Sequence, residues 1–174
     1  MAARGETGRA VNVRELVAMA LLSALLLGVQ VALAALPNIE LVSLLVVLYT
    51  LFFRWKALLI IYVFVLLEGL IYGFGLWWVN YLYIWAVLWG AAMLLRNMRA
   101  TLGWVILLAG FGLAFGLLCA IPYLFIGGPG LAVSYYISGI PFDLLHCAGN
   151  AVTAAVLFAP LRRLFARALP GLAQ

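Results

Sequence analysis

Six apolar runs follow one another along the chain, each closed by a short polar or Gly/Pro-containing break. Leu16–Leu36 is the clearest and stops at Pro37-Asn38. Ile39–Phe53 ends at Arg54-Trp55-Lys56, and Ala57–Tyr72 at Gly73-Phe74-Gly75. Trp77–Leu95 is closed by Arg96-Asn97-Met98-Arg99, and Leu102–Ile126 by Gly127-Gly128-Pro129-Gly130. Ile140–Leu161 runs into a basic segment that reaches Arg167. An apolar helix of about 20 residues crosses the hydrocarbon core of a bilayer. The pattern therefore predicts an all-α integral membrane protein, a compact bundle of six transmembrane helices. The second and third runs are short, so a helical hairpin that stops within the membrane fits them too. The chain divides into an N-terminal segment, 1–14, a six-helix membrane domain, 15–161, and a C-terminal tail, 162–174.

Composition supports the bilayer as solvent. The chain is 69% hydrophobic and 9% charged, where soluble domains carry roughly 25% charged residues. The first apolar run is about 21 residues, longer than the h-region of a signal peptide, and reads as a span, with cleavage near the small residues Ala32, Ala34 and Ala35 left open. The basic residues settle the expected orientation. Arg4, Arg9 and Arg14 precede the first span, Arg54 and Lys56 follow the second, Arg96 and Arg99 the fourth, and Arg162, Arg163 and Arg167 the sixth. All fall on one side of a six-span arrangement. The positive-inside rule makes that side cytoplasmic, with both termini inside a bacterial or archaeal cell membrane. The net charge of +5 is spread over span ends, with no basic tract or stacking motif, so no nucleic-acid partner is expected. Cys119 and Cys147 lack metal-ligand spacing and read best as small buried side chains, with a bridge left open.

The acids sort the other way. Glu40 opens the second span, Glu68 lies near the outer end of the third, and Asp143 begins the sixth just after Pro141. In the segment FDLLHCAGN, Asp143, His146 and Asn150 fall within about 60° of one another on a helix. A charged side chain within a span is costly unless it faces protein, water or a ligand. Simple structural roles exist for Asp143, Glu40, His146 and Asn150, while Glu68, at the unfavourable end of its helix dipole, has a less natural one. Asp143 and Glu40 suit the positive end of a helix dipole, His146 suits a hydrogen bond to Asp143, and Asn150 suits a bond between helices. Together with Trp78, Asn80 and Tyr81 at the outer rim, the group reads as a small-molecule site made of Glu40, Glu68, Trp78, Asn80, Tyr81, Asp143, His146 and Asn150. The aromatics equally fit an interfacial belt. The Gly/Pro-rich stretch 127–139 is expected to be a loop that closes over this site. Neither metal nor cofactor is called for.

On the first helix, Ala20, Ala24 and Gly28 recur at steps of four and form a smooth strip that permits close helix approach, with Ala32 continuing it. A similar strip on the fifth span, Gly112, Gly116 and Ala120, reads as internal packing.

With these features together, the chain resembles the substrate-binding S component of energy-coupling factor (ECF) vitamin transporters. The resemblance covers nearly the whole chain. It rests on six short spans, both termini inside, a basic lead into the first helix, the AxxxA pattern of Ala20 and Ala24, and the stretches LPNIELVSLLVVLYTLFF and LLEGLIYGFGLWWVNYL. It implies capture of a vitamin or precursor at the outer face, with a thiamine-like or other cationic, donor-rich ring compound favoured and cobalamin open. It implies a membrane T component, contacted through Ala20, Ala24 and Gly28, and two cytoplasmic ATPases. It also implies that the whole subunit topples in the membrane to release its ligand inside. The chain carries no GxxxxGK[ST] loop, so ATP hydrolysis falls to partners. The competing classes are a stand-alone or proton-coupled carrier, an accessory subunit without ligand, and an intramembrane enzyme built on His146 with Asp143 or Glu68. The last lacks HExxH or GxSG support.

Overall fold

A computed structural model describes residues 13–169. The candidate cations Arg4 and Arg9 lie outside the described residues. The described chain is all-helical: α1 (Val13–Leu33), α2 (Val42–Phe53), a 3-10 turn (Arg54–Lys56), α3 (Ala57–Tyr72), α4 (Leu76–Leu94), α5 (Thr101–Cys119) and α6 (Ile121–Ala168). Four stretches are long and apolar enough to cross a membrane: Val13–Leu33, Val42–Tyr72, Thr101–Cys119 and Ile121–Ala168.

Val42–Tyr72 is not one straight rod. Arg54 takes φ 51 and ψ −119, which breaks the helix between α2 and α3. Glu40, just before α2, and Glu68, near the end of α3, both line cavities that share Gln30 of α1. The two short helices therefore form a hairpin whose two open ends lie beside the C-terminal end of α1. The hairpin carries about half of the buried core. Val42 through Thr50 are all buried, and Phe64 and Ile60 are fully enclosed. A helix buried on every side needs no polar face, which is why α2 reads as continuous oil.

α3 and α4 run in opposite directions, while α1 runs alongside α3 in the same direction, with Glu15 beside Lys56 and Ser23 Oγ donating to the Ile60 carbonyl at 3.0 Å. The Trp78 indole N–H donates to the Val65 carbonyl at 2.9 Å, and Trp89 donates to Arg54 at 3.0 Å. These tie both ends of α4 to the α2–α3 hairpin. Trp104 of α5 stacks on Phe158 of α6 with ring centroids 5.5 Å apart. Phe165 packs on Tyr49 and Phe52, which brings the end of α6 to the end of α2. Arg54, Lys56, Arg96, Arg99, Arg162, Arg163 and Arg167 consequently gather at one end of the bundle. Glu15, buried at the start of α1, pairs there with Lys56 at 2.6 Å.

The α5–α6 pair departs from the expected boundaries. α5 ends at Cys119, and a new helical segment begins at Ile121, so the predicted span 102–126 is two segments joined at Ala120. The reversal comes at Gly127 and Gly128, where Gly128 takes φ 76, a left-handed conformation that glycine adopts without strain. Tyr123 and Tyr135 stack across it at 4.2 Å. From Pro129 onward the chain is helical to Ala168, about 60 Å at 1.5 Å per residue. The stretch expected as a closing loop, 127–139, is thus a two-glycine turn followed by helix. Pro129 sits in the first turn of that helix, where a missing N–H leaves no bond unmade.

The glycine strip of α5 does what its spacing predicts. A Cβ at Gly112 would lie 2.8 Å from the His146 backbone, and one at Gly116 would run into the Asp143 carboxylate. The α1 strip differs. Ala20, Ala24, Gly28 and Ala32 are all exposed, and nothing lies within 4 Å of a Cβ built on Gly28. The opposite face of α1, with Met19, Ser23 and Leu26, meets the core.

Candidate functional site

Two adjoining cavities open at the end of the bundle opposite the cations. The first, about 180 Å³, is lined chiefly by the end of α1 and the α1–α2 turn, residues 33–40, together with Gln30, Tyr81, Trp85, Phe115 and His146. The second, about 230 Å³, is lined by Gln30, Ala34, Glu68, Tyr72, Trp77 and Tyr81. Gln30, Ala34 and Tyr81 belong to both, so they form the shared wall. Among the described residues, no Lys or Arg lines either cavity.

Glu40 and His146 define the first cavity. Glu40 Oε2 accepts the Ser43 backbone N–H at 2.7 Å. This satisfies one of the amides left open at the start of α2 and places the carboxylate at the positive end of the helix. Its other oxygen lies 3.2 Å from His146 Nε2. His146 is buried, packs edge-on against Phe115 at 4.9 Å, and has no partner at Nδ1. The dipole role expected of Glu40 and a place in the cavity are therefore both present in one side chain.

Glu68 defines the second cavity. It is 3% exposed, and its Oε1 has no hydrogen-bond partner. Tyr81 stands between the two carboxylates. Its hydroxyl receives the Gln30 side-chain N–H at 3.5 Å, and its ring meets Trp77 and Trp85 edge-on at 5.4 and 5.3 Å.

The remaining expected site residues lie elsewhere. Asp143 does not start a helix. Helix runs through Pro141, and the carboxylate accepts the Gly116 N–H of α5 at 2.9 Å, its second oxygen unpartnered. Only a glycine at 116 leaves room for that approach. The helix-dipole explanation of Asp143 is replaced by a bond between α5 and α6, and the expected Asp143–His146 bond by the His146–Glu40 contact. Asn150 donates to the Leu108 carbonyl at 3.2 Å, again between α5 and α6. Trp78 is committed to Val65, and Asn80 lies 3.1 Å from the Tyr83 hydroxyl, which itself donates to Leu118 at 2.6 Å. None of these four lines either cavity, and neither does any residue of 127–139. The stripe on α6 thus divides: His146 faces the cavity, while Asp143 and Asn150 hold α5.

Gln30, Trp77, Trp85 and Phe115 line the cavities without having been singled out as site residues. Gln30 had a readable signal, as the lone amide within the first apolar run. Phe115 had none, since an apolar residue on an apolar helix is silent. Cys119 and Cys147 are free thiols.

No family model matches the chain, and no curated protein or solved structure matches it. What the molecule offers is thus read from its own geometry: an all-helical membrane-type bundle with acid, imidazole, amide and aromatic groups around paired cavities.

Proposed function

We propose that this chain is the ligand-capturing membrane subunit of an importer of the ECF type. It takes up a small vitamin-like compound at the outer face of the cell membrane, crossing the bilayer six times with both termini inside. The observation that carries this reading is the pair of adjoining cavities holding Glu40–His146 on one side of Tyr81 and Glu68 on the other, with no Lys or Arg among the described residues in either. Such a lining favours a ligand that is cationic or rich in hydrogen-bond donors, with a ring to pack on Tyr81, Trp77 and Trp85. The orientation is supported by the gathering of Arg54, Lys56, Arg96, Arg99 and Arg162 to Arg167 at the opposite end, the side retained in the cytoplasm. The exposed small face of α1, Ala20, Ala24 and Gly28, suits close docking of a partner membrane helix, the T component. Two partner ATPases supply the energy.

Native mass spectrometry of the purified chain tests the reading. A small molecule should co-purify and raise the melting temperature when added back. Absence of any bound compound, with no stabilisation by thiamine, cobalamin or other vitamins, would remove it.

A second reading, a stand-alone proton-coupled carrier, is favoured by one observation: the buried, unpartnered Oε1 of Glu68. Uptake into liposomes by the chain alone, driven by a pH gradient, separates it from the first.

A further inference from the structure

The Glu68 cavity has a chemistry distinct from its neighbour. Its floor holds a carboxylate that is 3% exposed and has an oxygen without a hydrogen-bond partner. Trp77 and Tyr81 provide two aromatic walls whose planes meet at 89°, with centroids 5.4 Å apart. Tyr72 adds a third aromatic group, and Gln30 and Ala34 close the side toward α1. A buried carboxylate without a cation is costly. A proton can offset that cost, and so can a positively charged group, which here must also gain from aromatic surroundings. Hard inorganic cations gain little here, since Ca²⁺ requires about six to eight oxygen ligands, and this cavity has one carboxylate, one amide and two tyrosine hydroxyls. An alkylated nitrogen meets both demands: its charge is diffuse, its surface is apolar, and aromatic rings attract it through their quadrupoles.

We propose that the cavity lined by Glu68, Trp77, Tyr81, Tyr72 and Gln30 is a subsite for an organic ammonium group. Across Tyr81, the Glu40–His146 cavity then receives the uncharged, hydrogen-bonding part of the same ligand. This deepens the capture reading and rests on it for the second half of the ligand. The ammonium subsite itself stands on the geometry of one cavity.

Choline and 3,3-dimethylbutan-1-ol share a shape and differ in charge, which makes them the probe pair. Calorimetry on the full chain in nanodiscs of phosphatidylglycerol, which has no ammonium headgroup, should give saturable binding of choline. The neutral isostere should bind at least about tenfold more weakly. Glu68→Gln should weaken choline binding about ten- to hundredfold, and Trp77→Leu should weaken it independently should the first variant fail to fold. Leu102→Ala, on the exposed surface of α5 and away from both cavities, should leave it essentially unchanged. Equal binding of both probes, no saturable choline binding, or wild-type affinity in both Glu68→Gln and Trp77→Leu would overturn the proposal. Competition by phosphatidylcholine nanodiscs assigns the natural group to a lipid headgroup, and lack of competition to a free solute; either result supports the subsite. The two readings fail separately. A co-purifying ligand without an ammonium group overturns this inference and leaves capture standing. Choline binding by a chain with no co-purifying or stabilising vitamin supports the subsite and removes the importer.

Discussion

His146 Nε2 lies 3.2 Å from Glu40 Oε1, joining α6 to the turn between α1 and α2 across 106 positions of the chain. The same carboxylate holds the first turn of α2 through Ser43. One side chain thus links a helix start, a turn that walls a cavity, and the imidazole that faces it.

Because the two groups share one contact, their variants should not add. Glu40→Gln and His146→Ala are each expected to weaken ligand binding about ten- to hundredfold, the loss of one charge-assisted hydrogen bond. The double variant should lose less than the sum, with a coupling of about 0.5–3 kcal/mol. Titration calorimetry with the co-purified ligand checks this, and full additivity would mean the pair does not act together.

The α5–α6 bonds predict a different outcome. Asn150→Ala removes the bond to Leu108 and should cost about 0.6 kcal/mol, the average for interhelical bonds in membranes, with ligand affinity unchanged. Unfolding in mixed micelles combined with calorimetry separates the two effects. A loss of affinity with no loss of stability would return Asn150 to the binding site.

Gly112→Ala and Gly116→Ala should both destabilise the fold. The first pushes a Cβ against the His146 backbone, which cannot rotate away, and the second displaces the Asp143 carboxylate. Overpacking costs about 1–3 kcal/mol, and the Gly112 variant should be the worse because a side chain yields more readily than backbone. Melting temperatures in detergent would show the order.

On α1 the expectation reverses. Ala20→Trp and Ala24→Trp project from an exposed face, so melting temperature and ligand binding of the isolated chain should be unchanged. Uptake by the assembled importer should fall, because bulk on this strip prevents close helix approach. Loss of binding in the isolated chain would count against partner docking.

Topology has its own check. Cysteines introduced at Arg54, Arg96 and Arg163 should react with impermeant reagents only from the cytoplasm, and those at Asn38 and Gly128 only from outside. Outside labelling at Arg96 would overturn the proposed orientation.

The legible part of this protein was its helices and their lipid-like solvent. Apolar runs such as Leu16–Leu36 must satisfy their backbone groups internally once water is removed, so helix follows directly from composition. The Gly112–Gly116 strip was legible for a similar reason: absence of a side chain at helical spacing allows close approach whatever the partner. Glu40, Glu68, Tyr81 and His146 were visible as polar or aromatic groups at one end. Their division of labour was not. Spacing put Asp143, His146 and Asn150 on one stripe, but a stripe about 60° wide can meet two neighbours at once. Packing turned His146 toward the α1–α2 turn and Asp143 and Asn150 toward α5. The Gly/Pro-rich stretch after Ile126 misled because local propensity allows both loop and helix there. Only Gly127, at φ −139, and Gly128, at φ 76, depart from helix, and packing carries the rest. Local chemistry thus decides which segments become helix and which side chains avoid lipid. Which polar group is consumed in holding helices together, and which remains open to a ligand, depends on the register of distant helices, a quantity that no single stretch of the chain contains.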